Sequence, residues 1–162
     1  MTLFDTIHNG DHPQHGPNLR GEYGETLAII FFAQHGYRVA KSNGDHYPYD
    51  LLVERHGVTN RIQVKTTRGL TGKYYRSTFS VSNEWDAALI ITEAGEVFLI
   101  PRMSMTFENP SSRHGRSDTR RFVLYPKYES FRVGRFVGFD QATPGDVVEQ
   151  LERLLNYGQE QD

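Results

Sequence analysis

The chain has 162 residues, 37% of them hydrophobic and 23% charged, with a formal net charge of −2 and no cysteine. This length and composition are typical of one globular domain with a sizeable core, and the missing cysteines exclude disulfides, thiolate metal sites and cysteine nucleophiles. No apolar run approaches the roughly 20 residues of a membrane span, and the N-terminal stretch MTLFDTIHNG lacks the layout of a signal peptide, so we expect a cytoplasmic protein.

The charges are unevenly distributed along the chain. From Arg61 to Arg135 there are 13 Lys/Arg and 7 Asp/Glu, a balance of +6, whereas the remainder has 5 and 13, a balance of −8. Either a solvated charged face or a basic binding surface would give this pattern.

The first predicted elements are an N-terminal arm and a helix. Residues 1–18 are polar, rich in Gly, Pro and His, and without hydrophobic period, which indicates a mobile arm. A helix is predicted over 19–35 and ended by Gly36 as its C-cap residue. Glu25 lies just before the apolar half of this helix, where an unpaired carboxylate would be costly. It therefore needs a partner, and a metal ion or Lys65 would serve.

A β-hairpin with a polar, charged edge is predicted over 46–67. Its first strand follows Asp50, and the Gly-containing stretch 56–60 supplies the reversal. Strand alternation places Gln63 and Lys65 on one face of the sheet, and it packs Ile62 and Val64 on the other face. A lysine beside an amide and close to an aspartate is unusual in a core and indicates a functional site.

Further strands and a final helix follow the hairpin. The strands are predicted at 37–41, 77–81, 87–92 and 97–101, with two less regular ones at 122–125 and 128–139. Thr143 and Pro144 supply the N-cap and first turn of a C-terminal helix that ends near Asn156. Its apolar stripe, Val147, Val148, Leu151, Leu154 and Leu155, either packs on the domain or meets a second subunit. This order predicts a single α+β domain, residues 19–162, around one mixed or antiparallel sheet.

Two polar stretches after the hairpin are rich in positive charge. We expect both to be loops, and basic loops commonly become ordered on phosphate groups. The cations of the first are Arg68, Lys73 and Arg76, and those of the second are Arg113, Arg116, Arg120 and Arg121.

The hairpin residues have a joint use in phosphodiester chemistry. The side-chain oxygens of Asp50 and Gln63 suit Mg²⁺, which prefers carboxylate, carbonyl and water ligands. Val64 can add its backbone carbonyl, and Glu25 can complete the site directly or through water. Lys65 would position or deprotonate the attacking water, or neutralise charge that develops on the phosphate. Taken separately, an aspartate at a strand start and a strand lysine are common structural residues.

Glu25, Asp50, Gln63 and Lys65, in the order helix, strand, strand, resemble the motif of the PD-(D/E)XK nuclease superfamily. The stretch from Gly21 to Thr67 is similar to the variant of this core in group I intron-associated homing endonucleases. The resemblance implies a restriction-endonuclease-like αβββ core, with a mixed sheet flanked by helices and the C-terminal helix added to it. A fourth core strand is expected at 79–81 or at 87–92.

Two positions depart from the family pattern. The usual Pro-Asp is here Tyr49-Asp50, with Pro48 one residue earlier, and the usual second carboxylate is Gln63. An amide oxygen can bind a metal ion but adds no negative charge. Metal binding should therefore rely more on Asp50 and Glu25.

The resemblance implies a Mg²⁺-dependent, site-specific endonuclease that cleaves double-stranded DNA, with Mn²⁺ able to substitute. The two basic stretches, 68–76 and 113–121, would then bind the duplex. Cutting both strands with so small a domain requires two active sites, so we expect a homodimer or homotetramer, with the C-terminal helix in part of the contact. Three other interpretations remain open: a Holliday junction resolvase, a restriction or repair nuclease on the same core, and a non-catalytic DNA-binding protein.

Overall fold

The computed structural model describes residues 17–42, 47–67, 75–80, 84–108, 119–137, 140–142 and 147–156. Helix α1 spans Pro17–Gln34 and helix α2 spans Val147–Asn156. The strands are β1 Arg38–Lys41, β2 Leu51–Arg55, β3 Val58–Thr67, β4 Tyr75–Ser80, β5 Ala87–Thr92, β6 Glu96–Pro101, β7 Phe107–Glu108, β8 Thr119–Leu124, β9 Arg132–Val137 and β10 Asp140–Ala142. Short 3-10 helices follow β6, at Arg102–Ser104, and β8, at Pro126–Phe131.

The strands form two sheets. The larger is mixed, with the order β1-β2-β3-β5-β6-β9-β10, and only its β3–β5 pair is parallel among the described strands. The smaller is antiparallel, with the order β4-β8-β7. The α+β class and the mixed sheet are confirmed, whereas the prediction of one sheet is wrong. Strand β5 is the fourth strand of the core, which decides between the two expected alternatives.

The large sheet lies between the two helices and the small sheet. Alternate residues of β5 show this directly, because Leu89 and Ile91 belong to a buried cluster with α1 and α2, while Ile90 belongs to a second cluster with β4 and β8. The second cluster centres on Trp85, Phe79 and aromatic residues around them. A separate small sheet forms because the apolar side chains of β4 and β8 bury against this face of the large sheet.

The reversal between β2 and β3 is tighter than predicted. It consists of His56 and Gly57, whose φ angles are +52° and +80°, and Val58 already pairs with Arg55. Positive φ at both central residues is the signature of a type I′ turn, which matches the twist of the strands it joins. The Glu54 carboxylate accepts the Gly57 N–H at 2.7 Å, which adds a local hydrogen bond to this turn. The stretch predicted as loop up to residue 60 is therefore strand from Val58 onward.

The helices differ from prediction mainly at their starts. Helix α1 begins two residues early, so the last two residues of the predicted arm are helical, and residues 1–16 lie outside the described part. Gly36 has φ +82°, as its predicted C-cap role requires.

Leu151 and Leu155 of α2 are buried in the helix-side cluster, so this helix packs on the domain. The predicted cap of α2 at 143–144 lies outside the described residues. No described helix combines the length and apolarity needed to cross a membrane.

Candidate active site

The register of β2 and β3 brings the predicted aspartate and glutamine together. Leu51 pairs with Ile62, and Asp50 directly precedes Leu51 while Gln63 directly follows Ile62, so both lie at the same end of this strand pair. The Asp50 N–H donates to the Ile62 carbonyl at 2.8 Å, and the Asp50 Oδ2 accepts the Val64 N–H at 2.7 Å. These bonds fix both the backbone and the carboxylate of Asp50.

Gln63 is held on one side and lacks a partner on the other. Its side chain is 6% exposed, and its Nε2 donates to the Pro48 carbonyl. Its Oε1 is buried without a hydrogen-bond partner. A buried acceptor without a partner is costly in a folded protein. An ordered water or a cation would satisfy this oxygen.

Lys65 lies two residues further along the same face of β3. Its Nζ lies 5.5 Å from the centroid of the Phe79 ring on β4, so the small sheet supports the lysine from the other layer. Burial raises the pKa of the Asp50 carboxyl, while the Val64 N–H and the charge of Lys65 oppose this shift. Lys65 therefore lies close enough to Asp50 to stabilise its ionised form.

Glu25 reaches the site from α1, and a glycine controls how closely this helix approaches. A Cβ built on Gly24 would overlap the Thr66 Cγ2 on β3, so glycine lets the helix approach this closely without displacing the Thr66 side chain. The Glu25 Oε2 forms an ion pair with the Lys41 Nζ at 3.0 Å. Its charge also contributes to the raised pKa of Asp50, which burial mainly causes.

The donor set suits a hard divalent cation. Among the described residues, no three His, Cys, Asp or Glu side chains are grouped so that they alone could hold a metal ion. The site instead offers two carboxylates, Glu25 and Asp50, and the partnerless amide oxygen of Gln63. All are oxygen ligands of the kind that Mg²⁺, Mn²⁺ and Ca²⁺ bind. The carbonyl of Val64 as a further ligand stays a prediction.

The predicted DNA-binding cations divide into two groups. Arg68, Lys73, Arg113 and Arg116 lie outside the described residues. Arg76, Arg120 and Arg121 lie on β4 and β8, so their assignment to loops is wrong. Strands β4 and β8 form because they pair with each other over six residues. This long-range pairing is not evident from a polar sequence without hydrophobic period.

Strand register divides these three arginines between the two faces of the small sheet. Arg120 lies opposite Phe79, and directly paired residues share a face, so Arg120 is on the face that supports Lys65. Arg121 lies opposite Thr78, on the other face with Arg76. Among the three described cations, Arg120 is therefore the one on the face of the small sheet that contacts Lys65, and DNA contact by all seven stays a prediction.

Two features near the site were missed by the sequence interpretation. Lys41 ends β1 and pairs with Glu25, and Tyr47, 54% exposed, packs against Tyr49 with ring centroids 5.4 Å apart. The Ser42 hydroxyl donates to the Tyr49 carbonyl at 2.7 Å, which ties the segment before Asp50 to the end of β1. Only the pairing of β1 with β2 reveals that Lys41 is at the Asp50 end, and that pairing is not evident from local sequence.

Comparisons with known proteins agree with this architecture. Residues 15–93 match the model of a family described as PD-(D/E)XK endonuclease. Among solved structures, the chain resembles the bacterial homing endonuclease I-Ssp6803I, with a TM-score of 0.58, 19% identity, and coverage of 91% of this chain and 98% of that one. It also resembles Hjc, a Holliday junction resolvase from the archaeal hyperthermophile Archaeoglobus fulgidus, with a TM-score of 0.50, 11% identity, and coverage of 80% and 96%. No curated protein matches the sequence.

Proposed function

We propose that this chain, a relative of the PD-(D/E)XK nucleases, is a Mg²⁺-dependent, site-specific endonuclease that cleaves double-stranded DNA. One observation carries the proposal. Asp50, whose pKa is raised by burial, accepts the N–H of Val64, the residue between Gln63, whose buried oxygen has no partner, and Lys65. Such an arrangement is costly for a purely structural strand, and it is well suited to a divalent cation.

Each residue has a distinct part in the proposed reaction. Asp50, Gln63 and Glu25 would hold the cation, which when bound supplies positive charge where negative charge develops on the phosphate. Lys65 would orient the attacking water or stabilise the developing charge, because its ammonium is fixed by the Phe79 ring and lies near Asp50. Arg120 would hold the flanking phosphate backbone from the small sheet.

The nature of the DNA separates the two leading alternatives. A homing-type enzyme is favoured because Gln63 stands where junction resolvases of this core usually carry glutamate. The broader structural coverage of the homing endonuclease, 91% of this chain against 80% for the resolvase, also favours it. A resolvase would instead prefer branched DNA. A restriction or repair nuclease, or a DNA-binding protein without activity, would share the fold.

The experiment incubates the protein with Mg²⁺, a random-sequence linear duplex library and a four-way junction of the same length. We expect cuts in a defined subset of linear duplexes, and no cuts in EDTA. Preferential cutting of the junction would favour the resolvase. Binding without cutting of either substrate in Mg²⁺ or Mn²⁺, with Lys65→Ala binding DNA as wild type does, would contradict the enzyme proposal.

The assembly is also part of the proposal. A homodimer or homotetramer would bring two active sites to the two strands. Leu151 and Leu155 are already used by the domain's own core, so a subunit contact that includes α2 would use its other face. Sedimentation velocity, with and without DNA, would measure the subunit number. The predicted cytoplasmic location remains a prediction.

A further inference from the structure

Lys41 is the nearest described partner of the Glu25 carboxylate. The Lys41 Nζ lies 3.0 Å from the Glu25 Oε2, and the lysine side chain is 55% exposed while the glutamate side chain is 23% exposed. A half-exposed lysine of this kind can change partner at little cost, because its long stem moves in solvent.

Strand pairing places Lys41 at the active-site end of β1. Lys41 pairs with Leu51, the residue after Asp50, and the following Ser42 N–H donates to the Asp50 carbonyl at 2.9 Å. The charge of Lys41 also acts on Asp50, in the direction opposite to that of Glu25. Lys41 is therefore an integral charge of the site, although it lies on an edge strand outside the recognised motif.

The charges of the site are balanced in the free protein. Two carboxylates, Glu25 and Asp50, lie with two ammonium groups, Lys41 and Lys65. A divalent cation among these oxygens would add two positive charges beside the Lys41 ammonium and repel it. The DNA substrate brings phosphates to the same place and offers that ammonium a new partner.

We propose that Lys41 exchanges partners during substrate binding: it neutralises Glu25 in the free protein, and it contacts a DNA phosphate beside the active site when Glu25 helps to hold a divalent cation. This inference rests on the proposed nuclease function and adds a phosphate-binding residue to it. Lys41 thus weakens cation binding, because it competes for Glu25, but it strengthens DNA binding. Loss of Lys41 should therefore affect the two ligands in opposite directions.

The first measurement titrates Ca²⁺, alone and without DNA, into wild type and Lys41→Gln by calorimetry. We expect the variant to bind Ca²⁺ about fivefold more tightly, because one competing positive charge near the carboxylates is gone. In a Glu25→Gln background, Lys41→Gln should change the Ca²⁺ affinity less than it does in wild type, because only the effect of Lys41 on Asp50 and on the cation itself remains.

The second measurement follows binding of a linear duplex in Ca²⁺ at several salt concentrations. Lys41→Gln should bind DNA more weakly, and its slope of log K against log salt should fall by about one. Lys41→Arg keeps the charge and should retain the wild-type slope. Arg38→Gln is the matched control, because Arg38 lies on the same strand at the far end, opposite Glu54, and is 91% exposed. This control variant should leave the affinities for both Ca²⁺ and DNA unchanged.

The possible results test the partner exchange of Lys41 separately from the proposed nuclease function. Wild type that binds neither Ca²⁺ nor DNA would overturn both. If wild type binds both, weaker Ca²⁺ binding by Lys41→Gln would mean that Lys41 merely orients Glu25, and an unchanged salt slope would mean that it does not contact phosphate. Either result overturns the exchange while leaving the nuclease proposal intact.

Discussion

Strand β3 carries two buried amides whose surroundings differ. Asn60 and Gln63 are 2% and 6% exposed, and each has a side-chain oxygen without a hydrogen-bond partner. Asn60 lines a cavity of about 180 Å³, together with Tyr37 and Glu152, and that carboxylate already pairs with Arg55 at 3.3 Å. At Gln63 the neighbouring carboxylate, Asp50, is buried and has a raised pKa.

This difference distinguishes the proposed metal site from a buried amide elsewhere in the same strand. A partnerless amide oxygen occurs in both regions, so it does not identify the site alone. A polar cavity such as the one at Asn60 is suited to ordered water, because its carboxylate is already neutralised by an arginine. The Gln63 region instead combines its free oxygen with a carboxylate whose ionisation is costly until a cation arrives. The charge around the amide therefore separates the two regions.

The largest expected effect is on catalysis. Lys65→Met should lower the single-turnover cleavage rate on the order of 10³-fold, because it removes a fixed charge at the reacting phosphate. Asn60→Ala, in the other region, should keep the rate within about twofold. Rates at saturating enzyme concentration separate this effect from DNA binding. Equal loss in both variants would mean that the two amide regions do not differ in function.

The next effect concerns the contact that brings Glu25 to β3. Gly24→Ala should destabilise the protein by about 1–3 kcal/mol, because its Cβ would overlap the Thr66 methyl group. Urea unfolding measures this loss. Adding Thr66→Ser removes the methyl group and should restore much of the stability and activity. If Gly24→Ala is as stable as wild type, the close approach of α1 to β3 is not as described.

A charge swap tests the two amides against each other. Gln63→Glu places a carboxylate against the Pro48 carbonyl, so without metal it should cost about 1–3 kcal/mol of stability. Mg²⁺ should then stabilise this variant more than wild type, because the cation gains a charged ligand. Thermal unfolding in EDTA measures the loss of stability, and thermal unfolding in Mg²⁺ measures how much of it the cation restores.

Asn60→Asp is the control for that swap. It should also lose stability, but Mg²⁺ should not restore it. Recovery of both variants to the same extent would remove the distinction between the regions.

The smallest effect is the pH dependence of stability without metal. Because burial raises the pKa of Asp50 above its usual 3.8, the native state holds this proton more tightly than the unfolded state. This contribution to stability is therefore present at low pH and is lost as the pH rises from about 3.8 through the raised native pKa. In EDTA at pH 7, Asp50→Asn should be more stable than wild type, with the difference shrinking toward pH 4. A less stable variant at pH 7 would contradict the direction of the shift.

The sequence predicts the site better than it predicts its surroundings. The two-residue period of β3 is local, and it places Gln63 and Lys65 on one face and the apolar residues on the other, as the structure has them. The glutamate on the preceding helix is likewise a local feature. The resemblance to the PD-(D/E)XK nucleases and the α+β fold are confirmed.

Features that depend on long-range pairing could not be predicted. Arg120 lies in a strand because β8 pairs with β4, some 40 residues away along the chain, and the polar residues around it show no period. Lys41 joins the site only through the pairing of β1 with β2. The close approach of Gly24 to Thr66 depends on how α1 packs on the finished sheet.

The cation is proposed to bind at Gln63 and Asp50. Mn²⁺ added to ¹⁵N-labelled protein broadens backbone amide NMR signals near its binding site, even when binding is weak. At a low, substoichiometric ratio of Mn²⁺ we predict loss of the Asp50 and Val64 signals, while that of Gly57, about 16 Å away at the hairpin turn, is broadened far less. Asp50→Asn should abolish the effect. Broadening centred on the hairpin turn, or unchanged in Asp50→Asn, would contradict the claim.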